Sequence, residues 1–156
     1  MKDFFTLKEA IKKAEHYCAY QDRCHDEITS KLRSMKMSLD EIDEIITHLI
    51  QENFLNEERF ACSFARGKHR IKSWGKIRIT NELKFRNINQ RLITRALQEI
   101  TNEEYLETFH KTADRVWENS TERNILKKRK KFCDYLLRKG FESQLVYEKV
   151  KDLEAQ

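Results

Sequence analysis

The sequence predicts an all-α protein made of three tandem three-helix repeats that form an elongated, curved helical array. Three observations predict this fold. The 156 residues include no proline and three glycines, so the turn chemistry on which hairpins depend is nearly absent. Apolar residues recur at helical spacing along the chain. One apolar pattern also occurs three times.

Helix starts can be read from capping boxes, in which a Ser or Thr is followed three residues later by Glu and both orphan backbone donors are satisfied. Three such boxes are Thr6 with Glu9, Ser38 with Glu41, and Thr101 with Glu104. Further starts are predicted near Asp22, Asn56, Ser73, Asn89, Thr121 and Ser143. The sequence therefore predicts nine helices joined by short connections.

An internal repeat organises these helices. A shift of 51 residues, and then one of 53, superimposes the apolar positions of three successive segments. The first set is Ile28, Leu32, Ile42, Ile46 and Leu49, the second is Ile79, Leu83, Ile93, Leu97 and Ile100, and the third is Phe132, Leu136, Val146, Val150 and Leu153. We expect three-helix units over residues 1–52, 53–100 and 101–156. Each unit has a small core, so packing between neighbours should supply part of the stability.

The same shifts align Lys36, Asn87 and Gly140 at a turn inside each unit. This is the position where the chain would leave a helix in the left-handed region, which Gly adopts freely and Asn at modest cost. Lys fits poorly, so the first unit is expected to be strained there or to use a different turn.

Composition narrows the class of protein further. Hydrophobic residues make up 39% and charged residues 37%, which allows a core but leaves most faces solvated. No apolar run approaches the ~20 residues of a membrane span, and the start, residues 1–5, lacks the apolar stretch of a signal peptide. The four cysteines form no Cys-x-x-Cys pair, which favours reduced thiols. A cytoplasmic protein is expected.

Positive charge is concentrated in two segments, although the formal net charge is only +5. Residues 66–86 and residues 123–139 each hold eight Lys or Arg and one acid. The candidate partner- or DNA-binding residues are Arg66, Lys68, Arg70, Lys72, Lys76 and Arg78 in the first segment, and Lys127, Lys128 and Lys131 in the second. Such segments attract polyanions and equally suit an acidic protein surface. A solvated helix face is the plain alternative, above all for residues 127–131. Trp74 is expected to anchor the core, with base stacking as the lesser alternative.

Catalytic and metal sites are not expected. The sequence has no Gly-rich phosphate loop, nucleophile elbow or His-Glu-x-x-His motif. His16, Cys18, Cys24 and His25 lie close together, but their spacing matches no usual zinc motif. Helix-turn-helix arrangements can be drawn over residues 27–49 and 78–100. The acidic second helix of the former would repel duplex phosphates, whereas residues 90–95 of the latter are more plausible, so specific duplex binding stays open as a lesser alternative. We therefore expect no enzyme activity, cofactor, metal or small-molecule substrate.

Several stretches of the chain form a familiar pattern, namely Tyr17-Cys18-Ala19-Tyr20-Gln21-Asp22-Arg23, Glu27-Ile28, Lys31-Leu32, Phe54-Leu55-Asn56-Glu57-Glu58-Arg59-Phe60-Ala61, Arg66-Gly67-Lys68, Trp74-Gly75, Ile79 and Glu82-Leu83. With these stretches the chain resembles the RecX family of recombinase regulators. The resemblance runs from about Ala14 to Leu153 and is strongest over residues 54–83. Cys24 and Asn87 depart from the Ser and Gly that relatives often carry.

The resemblance implies an all-helical chain of three three-helix units that binds the RecA nucleoprotein filament, lodges in its groove and limits strand exchange and ATP hydrolysis. It implies no catalytic site. By the same resemblance, the basic residues from Arg66 to Arg78 would face the filament and contact RecA or its single-stranded DNA. The alternatives left open are a general nucleic-acid-binding helical protein that acts without RecA, and a helical scaffold for another acidic partner.

Overall fold

The computed structural model describes residues 4–156, and within that range the chain forms nine α-helices and no β-strand. Residues 1–3, part of the N-terminal segment considered above for a signal peptide, lie outside the described residues. The helices are α1 (Leu7–Tyr20), α2 (His25–Ser34), α3 (Leu39–Gln51), α4 (Glu57–Lys72), α5 (Lys76–Phe85), α6 (Gln90–Leu97), α7 (Asn102–Glu118), α8 (Ile125–Lys139) and α9 (Ser143–Glu154). The all-α helical repeat is confirmed.

The turn at the repeat-related positions is the same in all three successive groups of three helices. The backbone is left-handed at Lys36 (φ 61°), Asn87 (φ 60°) and Gly140 (φ 99°). In each turn the N–H of the next residue donates to a Leu carbonyl five positions back, as Ile88 does to Leu83 at 3.1 Å. This is the Schellman geometry that closes a helix C-terminus. Lys36 therefore adopts the same turn as Asn87 and Gly140. Of the two alternatives predicted for the first unit, the use of a different turn is wrong.

Two of the three predicted capping boxes are confirmed. Thr6 and Ser38 each accept the N3 backbone N–H, and the N3 glutamate accepts the cap's own N–H in return. At Thr101 the hydroxyl accepts the N–H of Glu104 at 3.1 Å. The Glu104 carboxylate, however, binds the Arg70 guanidinium at 2.8 Å, so the reciprocal bond predicted there is wrong.

Three helices begin later than predicted. Helix α2 begins at His25, because its cap is Cys24, whose N–H donates to the Glu27 carboxylate at 3.1 Å, while the Asp22 carboxylate binds Arg59. Helix α5 begins at Lys76, because Ser73 ends α4 in the left-handed region. Helix α8 begins after Asn124 and not near Thr121, because the Asn124 side chain accepts the N–H of Lys127 at 3.1 Å.

The apolar core has two parts. One lies among α1, α2 and α3 and includes Ile28, Leu32 and Leu49, all fully buried. The other continues through α4 to α9 and includes Phe109, Phe132 and Phe141. The second and third groups of helices thus share one core, as expected for repeats that stabilise one another. The predicted unit boundaries at residues 52 and 100 stay a prediction.

The motif around Arg59 joins the first group of helices to the second. Its guanidinium donates to the Asp22 carboxylate at 2.7 Å and to the backbone oxygens of Asn53 and Phe54 at 3.2 and 3.1 Å. The Glu57 carboxylate accepts the N–H of His25 at 3.0 Å, which crosses the same junction. A guanidinium suits this junction because its planar set of N–H groups can satisfy several carbonyl and carboxylate oxygens at once.

The second and third groups meet where backbone touches backbone. The N–H of Gly75 donates to the Lys139 carbonyl at 2.8 Å, and the N–H of Ile77 donates to the Gly140 carbonyl at 3.0 Å. A Cβ on Gly75 would lie 2.3 Å from the Gly140 carbonyl carbon and oxygen. Glycine is required at this crossing because any side chain would hold the two segments apart.

The molecule exposes more surface than a compact monomer of its size. Its accessible surface is 10194 Å² for a mass of 18.9 kDa, whereas the scaling for compact proteins gives about 8,300 Å². This excess agrees with an elongated array, and the curvature of the array stays a prediction. In the part of the chain that the structure describes, no helix is long and apolar enough to cross a membrane.

Candidate polyanion-binding surface

Two of the predicted cations lie over the ring of Trp74. The Lys68 ammonium is 5.1 Å and the Arg78 guanidinium 4.2 Å from the ring centroid. Trp74 itself is half-buried and packs against the larger core. This arrangement favours the core-anchor interpretation of Trp74. Cations over an aromatic face keep their charge while their stems are held in place.

The end of α8 adds two cations to this region. The Lys139 ammonium donates to the Lys72 carbonyl at 2.9 Å, and Arg78 donates to the Arg138 carbonyl at 3.4 Å. We define the basic surface as the six basic residues that contribute a side chain or a backbone oxygen to this crossing, namely Lys68, Lys72, Lys76, Arg78, Arg138 and Lys139. Arg138 and Lys139 were missed as site residues, although they belong to the second basic segment, because only the tertiary crossing at Gly75 places them beside the first.

The support beneath the basic surface is a buried polar cluster. The Tyr105 hydroxyl accepts the N–H of Lys76 at 2.9 Å and donates to the Glu142 carboxylate. Burial, with the bond to Glu142, raises the pKa of the Tyr105 phenol far above its usual value, so it stays protonated. His69, fully buried, stacks on Tyr105 at 5.3 Å and bonds through Nδ1 to the Trp74 carbonyl at 2.9 Å. These buried contacts therefore fix the position of the α4–α5 connection.

Two other predicted cations are paired with acids. Arg66 binds Glu99 at 2.6 Å, and Arg70 binds Glu104 at 2.8 Å. The hydrogen bond from Arg70 holds the pKa of the Glu104 carboxyl below its usual value. These two pairs reduce the local field, so they contribute less to a polyanion-binding surface than the cations around Trp74.

The basic side chains of the second predicted cluster, at residues 127–131 of α8, have different partners. Lys128 lies 4.0 Å from the centroid of the Trp117 ring, and Lys131 binds Glu122 at 3.0 Å. Arg129 and Lys130 are paired with Glu154 and Asp134. Within residues 4–156, Lys127 alone of the run has no side-chain partner. It lies twelve residues from Lys139, ~18 Å along the helix, so the two predicted clusters do not merge.

The cysteines are all free and buried. Burial raises the pKa of each thiol, and that of Cys24 to about 11. Over residues 4–156, no group of three or more His, Cys, Asp or Glu side chains is placed to hold a metal ion.

These features define a class of protein, namely an all-α helical repeat with a basic surface at the crossing of its second and third groups of helices. Family models describe the same two groups. The model of the second three-helix domain of RecX matches residues 56–97, and that of the third matches residues 103–150. Together they cover more than half of the chain, which therefore belongs to the RecX family.

Individual relatives agree with this assignment. The chain is 24% identical over 140 residues to "Regulatory protein RecX" of Bacillus cytotoxicus, covering 90% of this chain and 52% of the relative. It is 25% identical over 149 residues to the protein of the same name from Bacillus mycoides, covering 94% of this chain and 55% of the relative. The chain thus spans about half the length of the curated relatives it matches.

A solved structure covers nearly the whole chain. The crystal structure of RecX from Lactobacillus salivarius aligns with a TM-score of 0.80 and 25% identity, covering 96% of this chain and 97% of that one. A second crystal structure, of regulatory protein RecX, aligns with a TM-score of 0.79 and covers 93% of this chain and 74% of that one.

Proposed function

We propose that this chain binds the RecA nucleoprotein filament and limits its ATP hydrolysis, strand exchange and growth. The observation that carries the proposal is the match of two successive RecX three-helix domain models to residues 56–97 and 103–150. The relatives that share this arrangement are named regulatory proteins. The proposal requires no catalytic group or cofactor on this chain.

The basic surface supports a polyanionic partner. Its six cations come from α4, α5 and α8, and the backbone bonds at Gly75 and Ile77 hold these helices together. A filament offers both DNA phosphates and protein carboxylates. Lys and Arg bind the former by releasing condensed counterions and the latter by complementary potential.

The proposed mechanism is differential binding. An elongated chain can contact neighbouring RecA protomers at once, and it then favours the filament state that presents both contacts. A ligand shifts an equilibrium by the difference between its affinities for the two states. The chain would therefore slow the filament's ATPase cycle without chemistry of its own.

The experiment measures ATP hydrolysis by RecA on single-stranded DNA while this protein is added at amounts well below one per RecA. The test variant is K72E/R138E, since neither side chain has an acidic partner within the described residues. Arg70 is left unchanged, because a carboxylate there would face Glu104. The control variant K8E/K12E changes the same charge on the exposed face of α1.

We expect inhibition by the native chain and by K8E/K12E, and weaker inhibition by K72E/R138E with unchanged helix content by circular dichroism. Absence of inhibition by the native chain would contradict the proposal. Equal inhibition by both variants would show that the basic surface does not contribute to inhibition.

A second candidate function is binding to bare single-stranded nucleic acid. A groove of about 540 Å³ between the first two groups of helices is lined by two aromatic rings, two cations, two carboxylates and a hydroxyl, namely Tyr17, Phe85, Lys31, Arg86, Asp26, Glu27 and Ser30. Phe85 is 83% exposed there, and exposed rings beside cations provide stacking platforms for bases. Binding to a bare single strand that weakens steeply with salt and also with F85A would favour this candidate.

A further inference from the structure

A groove apart from the basic surface lies between the end of α4 and one face of α7. It has a volume of about 440 Å³ and is lined by Arg70, Ser73, Thr108, Lys111, Thr112 and Arg115. The four residues from α7 recur at spacings of three and four, which places them along one side of that helix. Three cations and three hydroxyls therefore face one groove, and none of its lining residues is acidic.

Arg70 lines this groove, although the Glu104 carboxylate offsets part of its charge. Its Nε donates to Glu104, and among residues 4–156 its two terminal nitrogens have no hydrogen-bond partner. A guanidinium held by Nε presents its remaining N–H groups as a fork, the geometry that matches a phosphate. Lys111 and Arg115 have no ion pair within the described residues. The nearby Asp114 is occupied by Lys149 at 2.9 Å.

The negative end of α4 is partly neutralised by hydrogen bonds. A helix C-terminus repels anions through its unpaired carbonyl groups. Here the carbonyls of Lys68 and His69 accept the N–H groups of Trp74 and Ser73 at 3.2 and 3.0 Å. The Lys72 carbonyl accepts the Lys139 ammonium. Two of the last four carbonyls of α4, those of His69 and Lys72, thus have hydrogen-bond partners.

We propose that this groove is a phosphate-binding site, with Arg70, Lys111 and Arg115 as its charged ligands and the hydroxyls of Ser73 and Thr108 as further donors. The phosphate belongs either to a nucleic-acid backbone or to a free phosphate ion. The proposal goes beyond the RecA proposal and does not depend on it, and its experiment contains no RecA, so the two can fail separately.

The experiment uses the full chain and two probes. The first is inorganic phosphate, measured as the rise in Tm relative to chloride at equal ionic strength, since a ligand that binds the native state stabilises it. The second is a single-stranded 12-mer, compared with a methylphosphonate 12-mer that lacks the backbone charge. The test variant is K111Q/R115Q, the charge-keeping variant is K111R/R115K, and the matched control is K8Q/K12Q on α1.

We expect K111Q/R115Q to lose the phosphate-dependent rise in Tm, or to bind the 12-mer on the order of tenfold more weakly, with a salt slope lower by about 1.4 for two lost contacts. K111R/R115K and K8Q/K12Q should behave as the native chain. Loss with inorganic phosphate alone assigns a free ion, and loss with the 12-mer assigns the nucleic-acid backbone.

Two outcomes would overturn the proposal. In the first, K111Q/R115Q has the same phosphate-dependent rise in Tm and the same affinity for the 12-mer as K8Q/K12Q. In the second, the native chain binds the methylphosphonate 12-mer as tightly as the charged one, and phosphate raises its Tm no more than chloride does. Should K111Q/R115Q not fold, the single variants K111Q and R115Q are measured in the same way against K8Q.

Discussion

The replacement of Gly75 by Ala tests how the second and third groups of helices are joined. The added Cβ would lie 2.3 Å from the Gly140 carbonyl and 2.4 Å from the Phe141 nitrogen, all backbone atoms that no rotamer change can move. Gly75 has an ordinary extended backbone (φ −78°, ψ 168°), so Ala adds no torsional strain. The perturbation is therefore steric: the two segments must separate.

Separation breaks the hydrogen bonds from Gly75 to Lys139 and from Ile77 to Gly140. Each is worth about 1 kcal/mol net, and a buried donor left unpaired costs about 1–3 kcal/mol, so we expect a loss of about 2–4 kcal/mol. At about 2–4 °C per kcal/mol for a chain of this size, Tm should fall by roughly 5–15 °C. Because Ala also caps a helix less well than Gly, G75S serves as a second variant that keeps a capping side chain.

The assay is thermal and urea unfolding followed by circular dichroism, with G67A as the matched control. Gly67 lies inside α4 with no atom within 4 Å of an added Cβ. There Ala should stabilise the helix by up to about 1 kcal/mol. If G75A and G75S unfold at the same temperature as the native chain, the close backbone crossing is not what joins the two groups of helices.

Three further outcomes follow from buried and paired groups. Y105F should lower the free energy of unfolding by about 1–3 kcal/mol, since the Lys76 N–H loses its acceptor; urea unfolding checks this, and an unchanged midpoint would contradict it. The pKa of Glu104, held low by Arg70, should rise toward its usual value in R70Q. The stability that this pair supplies is present above the unfolded-state pKa and is lost as pH falls through the native one, which NMR titration of Glu104 in both proteins would show. With its pKa raised to about 11, Cys24 should react with a thiol reagent at pH 7.5 only after denaturant is added, as should the other buried cysteines; rapid labelling of the native chain would refute this.

Local patterns predicted much of the fold because they act over a few residues. The boxes at Thr6 and Ser38 required only the positions i and i+3, and both formed. The box at Thr101 failed in part because Glu104 found a stronger partner in Arg70, thirty-four positions away. A charge-assisted bond to a distant cation is not visible in the local pattern that predicts a cap.

In the candidate site, too, local sequence predicted some residues and only the tertiary structure showed others. Sequence clustering placed Lys68 and Arg78 in one basic segment, and both lie over Trp74 because they flank the α4–α5 connection that holds it. It did not indicate Arg138 or Lys139, which reach the basic surface across the Gly75 crossing. It also did not indicate Lys111, because α7 is not rich in basic residues and the groove exists only where α7 packs beside α4.

By itself the sequence determined the helices, their repeat and the left-handed turns at Asn87 and Gly140, because hydrophobic periodicity and turn geometry depend on near neighbours. The structure decided that Lys36 adopts the same turn. Only the tertiary structure decided which charges are free. Ion pairing with Glu99, Glu104 and Glu122 occupies part of both basic segments. Pairing depends on which side chains meet once the helices have packed, as Glu104 of α7 meets Arg70 of α4, and local sequence patterns do not specify those distant meetings.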